Sequence, residues 1–87
     1  MYNKKTEKFK ELLDQEHNFP TQYTFKFIVP HTQQKAVERL FPNETIDLKA
    51  SRKGNYISLS VTMTIESSDL VIAIYEKASE IKGLISL

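Results

Sequence analysis

The architecture of this chain follows from the stretch Lys49-Ala50-Ser51-Arg52-Lys53-Gly54-Asn55-Tyr56-Ile57-Ser58-Leu59-Ser60-Val61-Thr62-Met63-Thr64-Ile65. Side chains alternate between the two faces of a strand, so its second half predicts a strand with one apolar face and one hydroxyl-bearing face. The cationic segment before it predicts a four-residue hairpin loop in which Gly54 adopts a positive φ. The apolar face is predicted to be buried, and it comprises Ile57, Leu59, Val61, Met63 and Ile65. The opposite face carries Ser58, Ser60 and Thr62.

Three other segments have strand patterns. Residues 46–51 alternate apolar with polar side chains and enter the hairpin. Residues 23–30 place three aromatic residues and Val29 on one face and end at Pro30, which predicts a strand with an aromatic buried face. Residues 84–87 are short but β-prone, and they predict a final strand.

Two of the predicted helices precede the hairpin. The segment from about Lys4 to Gln15 has a short apolar stripe at helical spacing, formed by Phe9, Leu12 and Leu13. Thr32 is expected to cap a second helix that runs to about Leu40, because a threonine oxygen can accept from the free N–H groups of a first turn. Ala36, Val37 and Leu40 are predicted to lie on one side of that second helix.

A longer helix is predicted after the third strand. Ser67 or Ser68 is expected to cap it, with Asp69 in the favourable first turn. Gly83 is expected to be its C′ residue. The predicted buried stripe is Leu70, Ile74, Ala78 and Ile81. Three further residues, Val71, Ile72 and Tyr75, either broaden the core contact or form a subunit interface.

The element order predicts an α+β fold of the ferredoxin-like βαββαβ type. Right-handed crossovers place the first and third strands at the centre of a four-stranded antiparallel sheet, with both main helices on one face. We expect residues 1–16 to form an N-terminal amphipathic helix and residues 17–87 to form the ferredoxin-like domain. The second and fourth strands are then the sheet edges, where chains can pair.

Length and composition restrict the function. The 87 residues suffice for one domain, and 40% of them are hydrophobic and 26% charged. The absence of cysteine excludes disulfides and thiolate chemistry, and it favours a cytoplasmic protein. A formal net charge of +1 means that any electrostatic recognition is local. We expect neither a signal peptide nor a membrane span, because no stretch approaches the roughly 20 apolar residues needed.

Three motifs resemble one bacterial family. They are Phe19-Pro20-Thr21, Phe25-Lys26 and, most specifically, Ser51-Arg52-Lys53-Gly54-Asn55-Tyr56-Ile57-Ser58. From about Leu12 to Leu87 the chain resembles the YbeD-like family, a domain of unknown function with an ACT-like fold. The resemblance implies the same ferredoxin-like architecture and supplies no catalytic residues. ACT-like domains commonly assemble through sheet edges and helices and bind effectors between subunits, so the resemblance also favours a homodimer.

Catalytic and metal-binding chemistry has little support in the sequence. His17 and His31 are the only histidines, and neither has a metal-ligand spacing with carboxylates. Both are expected to be solvated loop residues. The only glycines are Gly54 and Gly83, so there is no phosphate-binding loop and no nucleophile elbow. We therefore expect no enzyme, no metal and no cofactor.

The hydroxyl-bearing sheet face is the best candidate for a binding site. Cationic and hydroxyl groups from two central strands and the hairpin converge there, which suits a carboxylate or another small anion. The alternative is an ordinary solvated sheet face, which has the same polar pattern. RNA recognition needs two or three exposed aromatic residues, and only Tyr56 qualifies. The predicted ligand-binding residues are Lys26, Lys49, Lys53, Tyr56 and Ser58.

Two functions remain open at this point. The leading hypothesis is a non-enzymatic regulatory domain of the cytoplasm that dimerises and binds a small anionic metabolite at the sheet face or at the dimer interface. The second is a protein-interaction adaptor that uses the same face or an edge strand and has no small-molecule ligand. Nucleic-acid binding is disfavoured, because the net charge is close to zero.

Overall fold

The chain alternates helices and strands in the order that its sequence predicts. The computed structural model describes residues 4–87, and the first three residues of the predicted N-terminal segment lie outside the described residues. The elements are α1 (Lys4–Glu16), β1 (Thr21–Pro30), a 3-10 turn (His31–Gln33), α2 (Gln34–Glu38), β2 (Ile46–Ala50), β3 (Tyr56–Ile65), α3 (Ser68–Ala78) and β4 (Ile85–Ser86). The predicted ferredoxin-like βαββαβ order, preceded by a helix, is confirmed.

The four strands form one antiparallel sheet in the order β2-β3-β1-β4. All ten residues of β1 pair with β3, so these two strands form the centre of the sheet. The predicted central and edge strands are therefore confirmed. Strand β4 is shorter than predicted, because only Ile85 and Ser86 pair with β1.

The alternating strand β3 separates the core from an open sheet face. Leu59, Val61 and Ile65 are fully buried, and Ile57 and Met63 pack against the core from partly buried positions. The predicted orientation of β3 is confirmed. All three helices contribute to the core on this side of the sheet, through Leu13 of α1, Val37 of α2, and Val71, Ile72 and Ala78 of α3.

The aromatic face of β1 is buried as predicted, and it is joined by an aromatic residue that the pattern does not identify. Phe25 and Phe27 are inaccessible to solvent. Phe41 is also buried, and its ring centroid lies 5.5 Å from that of Phe25 and 6.3 Å from that of Phe27. Phe41 follows α2 outside any periodic pattern, so the sequence pattern contains no sign that this residue closes the core.

The cap predicted at Thr32 is wrong. The segment after β1 begins as a 3-10 turn at His31, and no side chain caps it or α2. Pro30 is still extended, with φ −55° and ψ 143°, so the chain turns directly after it. Of the three residues predicted on one side of this helix, Val37 is buried and Ala36 and Leu40 are half-buried.

The predicted buried stripe of α3 is correct in part, because Ala78 is buried and Ile74 and Ile81 pack against the core, whereas Leu70 does not. Ser67 caps it, accepting a hydrogen bond from the Leu70 backbone N–H, so one of the two predicted caps is confirmed. Leu70 itself is 43% exposed. The residues of α3 that are buried are Ser68, Val71, Ile72 and Ala78, while Ile74 and Ile81 are half-buried. Val71 and Ile72 therefore belong to the core, because α3 packs against α1 as well as the sheet.

Gly83 has a positive φ of +81°, but it is not the C′ residue of α3. The helix ends at Ala78, and the following residues form turns. The Leu84 N–H donates to the Ile81 carbonyl oxygen, so Gly83 lies in the turn that leads into β4. The predicted role of Gly83 as the C′ residue is therefore wrong.

Helix α1 runs along α3. Its Phe9 ring contacts the ring of Tyr75 edge to face, with centroids 5.8 Å apart, and Leu13 is buried. Leu12 was expected in the same apolar stripe, but it is 53% exposed, because the contact surface follows Phe9 and Leu13. The helix therefore packs on the domain through a narrow strip of residues.

Candidate functional site

Strand register places most of the predicted ligand-binding residues on the open sheet face. Lys49 of β2 lies opposite Ser58 of β3, which lies opposite Ile28 of β1. One row away, Ser60 lies between Asp47 of β2 and Lys26 of β1. Directly opposed residues of an antiparallel pair point to the same side, so these two rows share the face that carries no helices.

The first of these rows borders a shallow depression of about 280 Å³ at the hairpin end of the sheet. Its walls come from the three strands and from the start of the hairpin loop. The lining residues are Ile28, Lys49, Ala50, Ser51, Arg52, Tyr56 and Ser58. Three of the five predicted ligand-binding residues, Lys49, Tyr56 and Ser58, are therefore brought together.

The hairpin loop is held in place by hydrogen bonds that backbone N–H groups donate to Ser51 and Tyr56. The Ser51 N–H donates to the Tyr56 carbonyl oxygen at 2.8 Å, and the Tyr56 N–H donates to Ser51 Oγ at 3.1 Å. The Gly54 N–H donates to the Ser51 carbonyl oxygen at 3.0 Å, which the predicted positive φ of +76° at Gly54 allows. Arg52, between these anchors, is therefore attached to a defined turn.

A further contact joins the hairpin to the central strand. The His31 N–H donates to the carbonyl oxygen of Asn55 at 2.9 Å, directly beyond the last paired residues of β1 and β3. This bond connects the loop to the part of the chain that follows β1. The position of Arg52 relative to Ile28 is thus determined by three strands rather than by the loop alone.

Two predicted residues do not line the depression. Lys26 lies on the same face but in the neighbouring row, opposite Ser60. Lys53 lies in the exposed loop and does not reach the lining. Arg52 and Ile28 line it instead. The position of Ile28 on the polar face of β1 is visible in the alternation, whereas the orientation of Arg52 depends on the turn.

The depression has a marked charge bias. Among the described residues that line it, two are cations and none is a carboxylate. The nearest acidic residue along β2 is Asp47, in the neighbouring row. Ser51, Tyr56 and Ser58 add hydroxyl groups that can donate to an anion or accept from a hydroxyl or amine. An arginine fork with a lysine beside it suits a carboxylate or phosphate.

The histidines are placed at opposite ends of β1, as expected. His31 is exposed. His17 lies in a loop, as expected, but it is half-buried rather than solvated, and its ring lies 5.6 Å from the ring of Tyr23 and 5.9 Å from that of Phe19. Within the described residues, no group of three or more histidine or acidic side chains is arranged to hold a metal ion.

One pair of hydroxyl groups lies on the opposite side of the sheet. Tyr23 and Tyr75 share a hydrogen bond of 3.1 Å, in the layer between β1 and α3. Burial, together with this bond to Tyr23, raises the pKa of Tyr75 well above its ordinary value. The phenol therefore stays protonated at neutral pH, which suits a structural hydrogen bond and does not suit a general base.

A family model described as a protein of unknown function (DUF493) matches residues 14–86. No curated protein and no solved structure matches the chain. None of the helices in the described part of the chain has the length and apolar character that crossing a membrane requires.

Proposed function

This chain belongs to the DUF493 family, whose function is unknown, and we propose that it is a small non-enzymatic regulatory domain that binds an anionic metabolite. The binding site of this proposal is the depression next to the hairpin. A cytoplasmic role accompanies the proposal, because a chain without cysteine suits a reducing compartment.

The charge of the depression carries this proposal. Lys49 and Arg52 line it and no carboxylate does, although the whole chain has a net charge of only +1. A surface with interspersed charges of both signs would be the ordinary arrangement. A local excess of positive charge, combined with hydroxyl donors, favours the binding of a group with negative charge.

The dimensions and the apolar wall limit the ligand. A volume of about 280 Å³ is at the small end of ligand-binding cavities, which typically span roughly 300–1,000 Å³. Ile28 supplies an apolar surface beside the cations. We therefore propose a small carboxylate or phosphate ester with a short apolar portion, in which the arginine fork holds the anionic group.

The second candidate, a protein-interaction adaptor, has its own supporting observation. The open face also carries apolar side chains near the β4 edge, where Ile85 pairs with Ile28 and is 54% exposed. Leu87 is 66% exposed beside it. A partner protein that covered this area would need no small-molecule ligand, and it would bury these residues rather than the cationic end of the sheet.

A thermal-shift screen with amino acids, small carboxylates, phosphate esters and inorganic phosphate tests the proposal. A ligand present at 100 times its dissociation constant is expected to stabilise the domain by about 2.7 kcal/mol. The response should disappear in Arg52→Glu and in Lys49→Glu, because each reverses a charge in the depression. It should also weaken as salt is added, since both cations are exposed.

Lys26→Glu and Lys53→Glu are the matched controls. Each makes the same change of charge in a residue that does not line the depression. Both variants are expected to respond to the ligand nearly as the parent does. If no anion stabilises the parent, or if all four variants lose the response equally, the depression is not the site. Loss of partner binding on Ile85→Asp would then favour the adaptor.

A further inference from the structure

Strand β2 has an uncovered edge and an apolar residue that the fold leaves in solvent. It is the outermost strand on its side of the sheet, and residues 47–50 are all exposed. Leu48 pairs with the buried Leu59 and so points to the helical side of the sheet, yet it is 48% exposed. The helices thus cover β3 and leave the Leu48 side chain of β2 without a packing partner.

Hydrogen-bond direction shows which backbone groups of β2 face outward. The Ser51 N–H donates to the Tyr56 carbonyl oxygen, and these two residues continue the register of β2 with β3. Because successive residues of a strand direct their backbone groups to opposite sides, Asp47 and Lys49 share the direction of Ser51 and bond to β3. The N–H and C=O groups of Leu48, together with those of Ile46 and Ala50, are directed to the free edge.

We propose that this edge pairs with the β2 edge of a second copy of the chain, antiparallel and with a two-fold axis at Leu48. The strand Ile46–Ala50 is symmetric about Leu48, so this register uses its whole length. Leu48 then lies opposite its own counterpart, and Ile46 lies opposite Ala50 of the second copy. All three outward-facing residues form hydrogen-bonded pairs, and their side chains meet on the helical side of the sheet.

The charges beside Leu48 match this arrangement. In the proposed register, Asp47 of each copy lies directly opposite Lys49 of the other, on the open face. These are non-hydrogen-bonded pairs, in which the side chains approach most closely. Among the described side chains, neither Asp47 nor Lys49 takes part in an ion pair within its own chain. Both are therefore available to the second copy.

Other two-fold registers fit less well. An axis at Asp47 or at Lys49 keeps the backbone direction, but it would place like charges directly opposite each other, which is destabilising. An axis at Ile46 or Ala50 keeps the backbone direction but loses the Asp47–Lys49 pairs and overlaps fewer strand residues. Only the axis at Leu48 satisfies the backbone, the apolar side chain and both charges.

This association goes beyond the proposed ligand binding, although the two share Lys49. The ammonium group has three donors, so Lys49 can contact Asp47 of the second copy and an anion together. The test of association is therefore performed without any added anion, and it includes a variant at Asp47, which does not line the depression. Failure of one proposal does not decide the other.

Sedimentation equilibrium of the full chain at low salt, over a range up to millimolar concentration, measures the association. The parent is expected to show a monomer–dimer equilibrium. Asp47→Lys and Lys49→Asp should each weaken the dimer by at least tenfold, because each creates two like-charged pairs. Lys26→Glu, on the same face but on a central strand, should leave the equilibrium unchanged.

Combining the variants gives the decisive measurement. An equimolar mixture of Asp47→Lys and Lys49→Asp should form a heterodimer, since every facing pair again has opposite charges. The double variant with both substitutions should recover the homodimer of the parent. A parent that stays monomeric at millimolar concentration overturns the proposal, and so does a mixture that associates no better than its two components. Circular dichroism checks that each variant is folded.

Discussion

The hydroxyl oxygens of Tyr23 and Tyr75 lie 3.1 Å apart and link the central strand β1 to helix α3. Around them, the ring of Tyr75 also contacts the rings of Phe25 and Phe27 edge to face. This contact is half-buried, in the layer where the sheet meets the helices. It makes the packing of α3 sensitive to the ionisation of one phenol.

The first prediction concerns alkaline pH. Because the folded state raises the pKa of Tyr75 above the ordinary value of about 10, the unfolded state loses this proton first. The contribution of the Tyr75 phenol to the free energy of unfolding is therefore complete below about pH 10. Above that pH it declines, by up to about 1.4 kcal/mol per pH unit. Tyr75→Phe should flatten this decline in urea denaturation between pH 9 and pH 11. Tyr56→Phe, which changes an exposed phenol, should retain it.

The second prediction concerns the contact between α1 and α3. Lys10 Nζ donates to Ser68 Oγ at 2.8 Å, and Ser68 is otherwise buried. Although partial burial opposes it, the nearby carboxylates of Asp14 and Asp69 raise the pKa of Lys10, so this donor stays charged at neutral pH. Lys10→Met should lower the free energy of unfolding more than the loss of an exposed lysine does, because the buried hydroxyl loses its partner.

Lys8→Met is the matched control for that change. Lys8 lies on the same helix and is exposed, so the loss of its charge should alter the free energy of unfolding by less than about 0.5 kcal/mol. Chemical denaturation of both variants gives the comparison. Equal effects of the two substitutions would show that the Lys10 contact does not hold α1.

The third prediction concerns the hairpin. Gly54 has φ +76°, and a Cβ placed there would meet no atom within 4 Å, so any penalty comes from the backbone alone. Gly54→Val should destabilise the domain by about 1–2 kcal/mol. Gly54→Asn should cost less, because asparagine tolerates the left-handed region. Denaturant midpoints in which the two substitutions have equal effects would contradict this account.

The fourth prediction compares the two glycines. Gly83 also has a positive φ, but a Cβ there would lie 2.9 Å from Pro30 Cγ. Gly83→Ala therefore combines backbone strain with a steric clash against a proline ring, which has little freedom to move away. It should lower the melting temperature more than Gly54→Ala does. Equal shifts would mean that the turn before β4 can move away from β1.

Several features of the molecule could be derived from local sequence patterns. The alternation of β3 was enough to assign its two faces, because side chains have a strict period of two along a strand. The positive φ of Gly54 and the cap at Ser67 follow from residue chemistry at a turn and at a helix start. The order of the elements then left few possible topologies.

Other features required the tertiary structure. Helix α3 has more than one apolar stripe, and its packing against α1 and the sheet selects Val71 and Ile72 over Leu70. Phe41 completes the core from outside any periodic segment. The burial of such residues depends on how separate elements meet, which no local period contains.

In the candidate binding site, too, some features follow from local sequence patterns and others from the tertiary structure. The sequence by itself determined that Lys26, Lys49, Tyr56 and Ser58 share one face of the sheet, since each position follows from alternation within its strand. Only the tertiary structure decided that Lys49 meets Ser58 and Ile28 in one row, that Lys26 belongs to the next row, and that Arg52 rather than Lys53 borders the depression. The physical reason is that alternation assigns a face, whereas neighbours across strands depend on register and on the geometry of the turn that sets it.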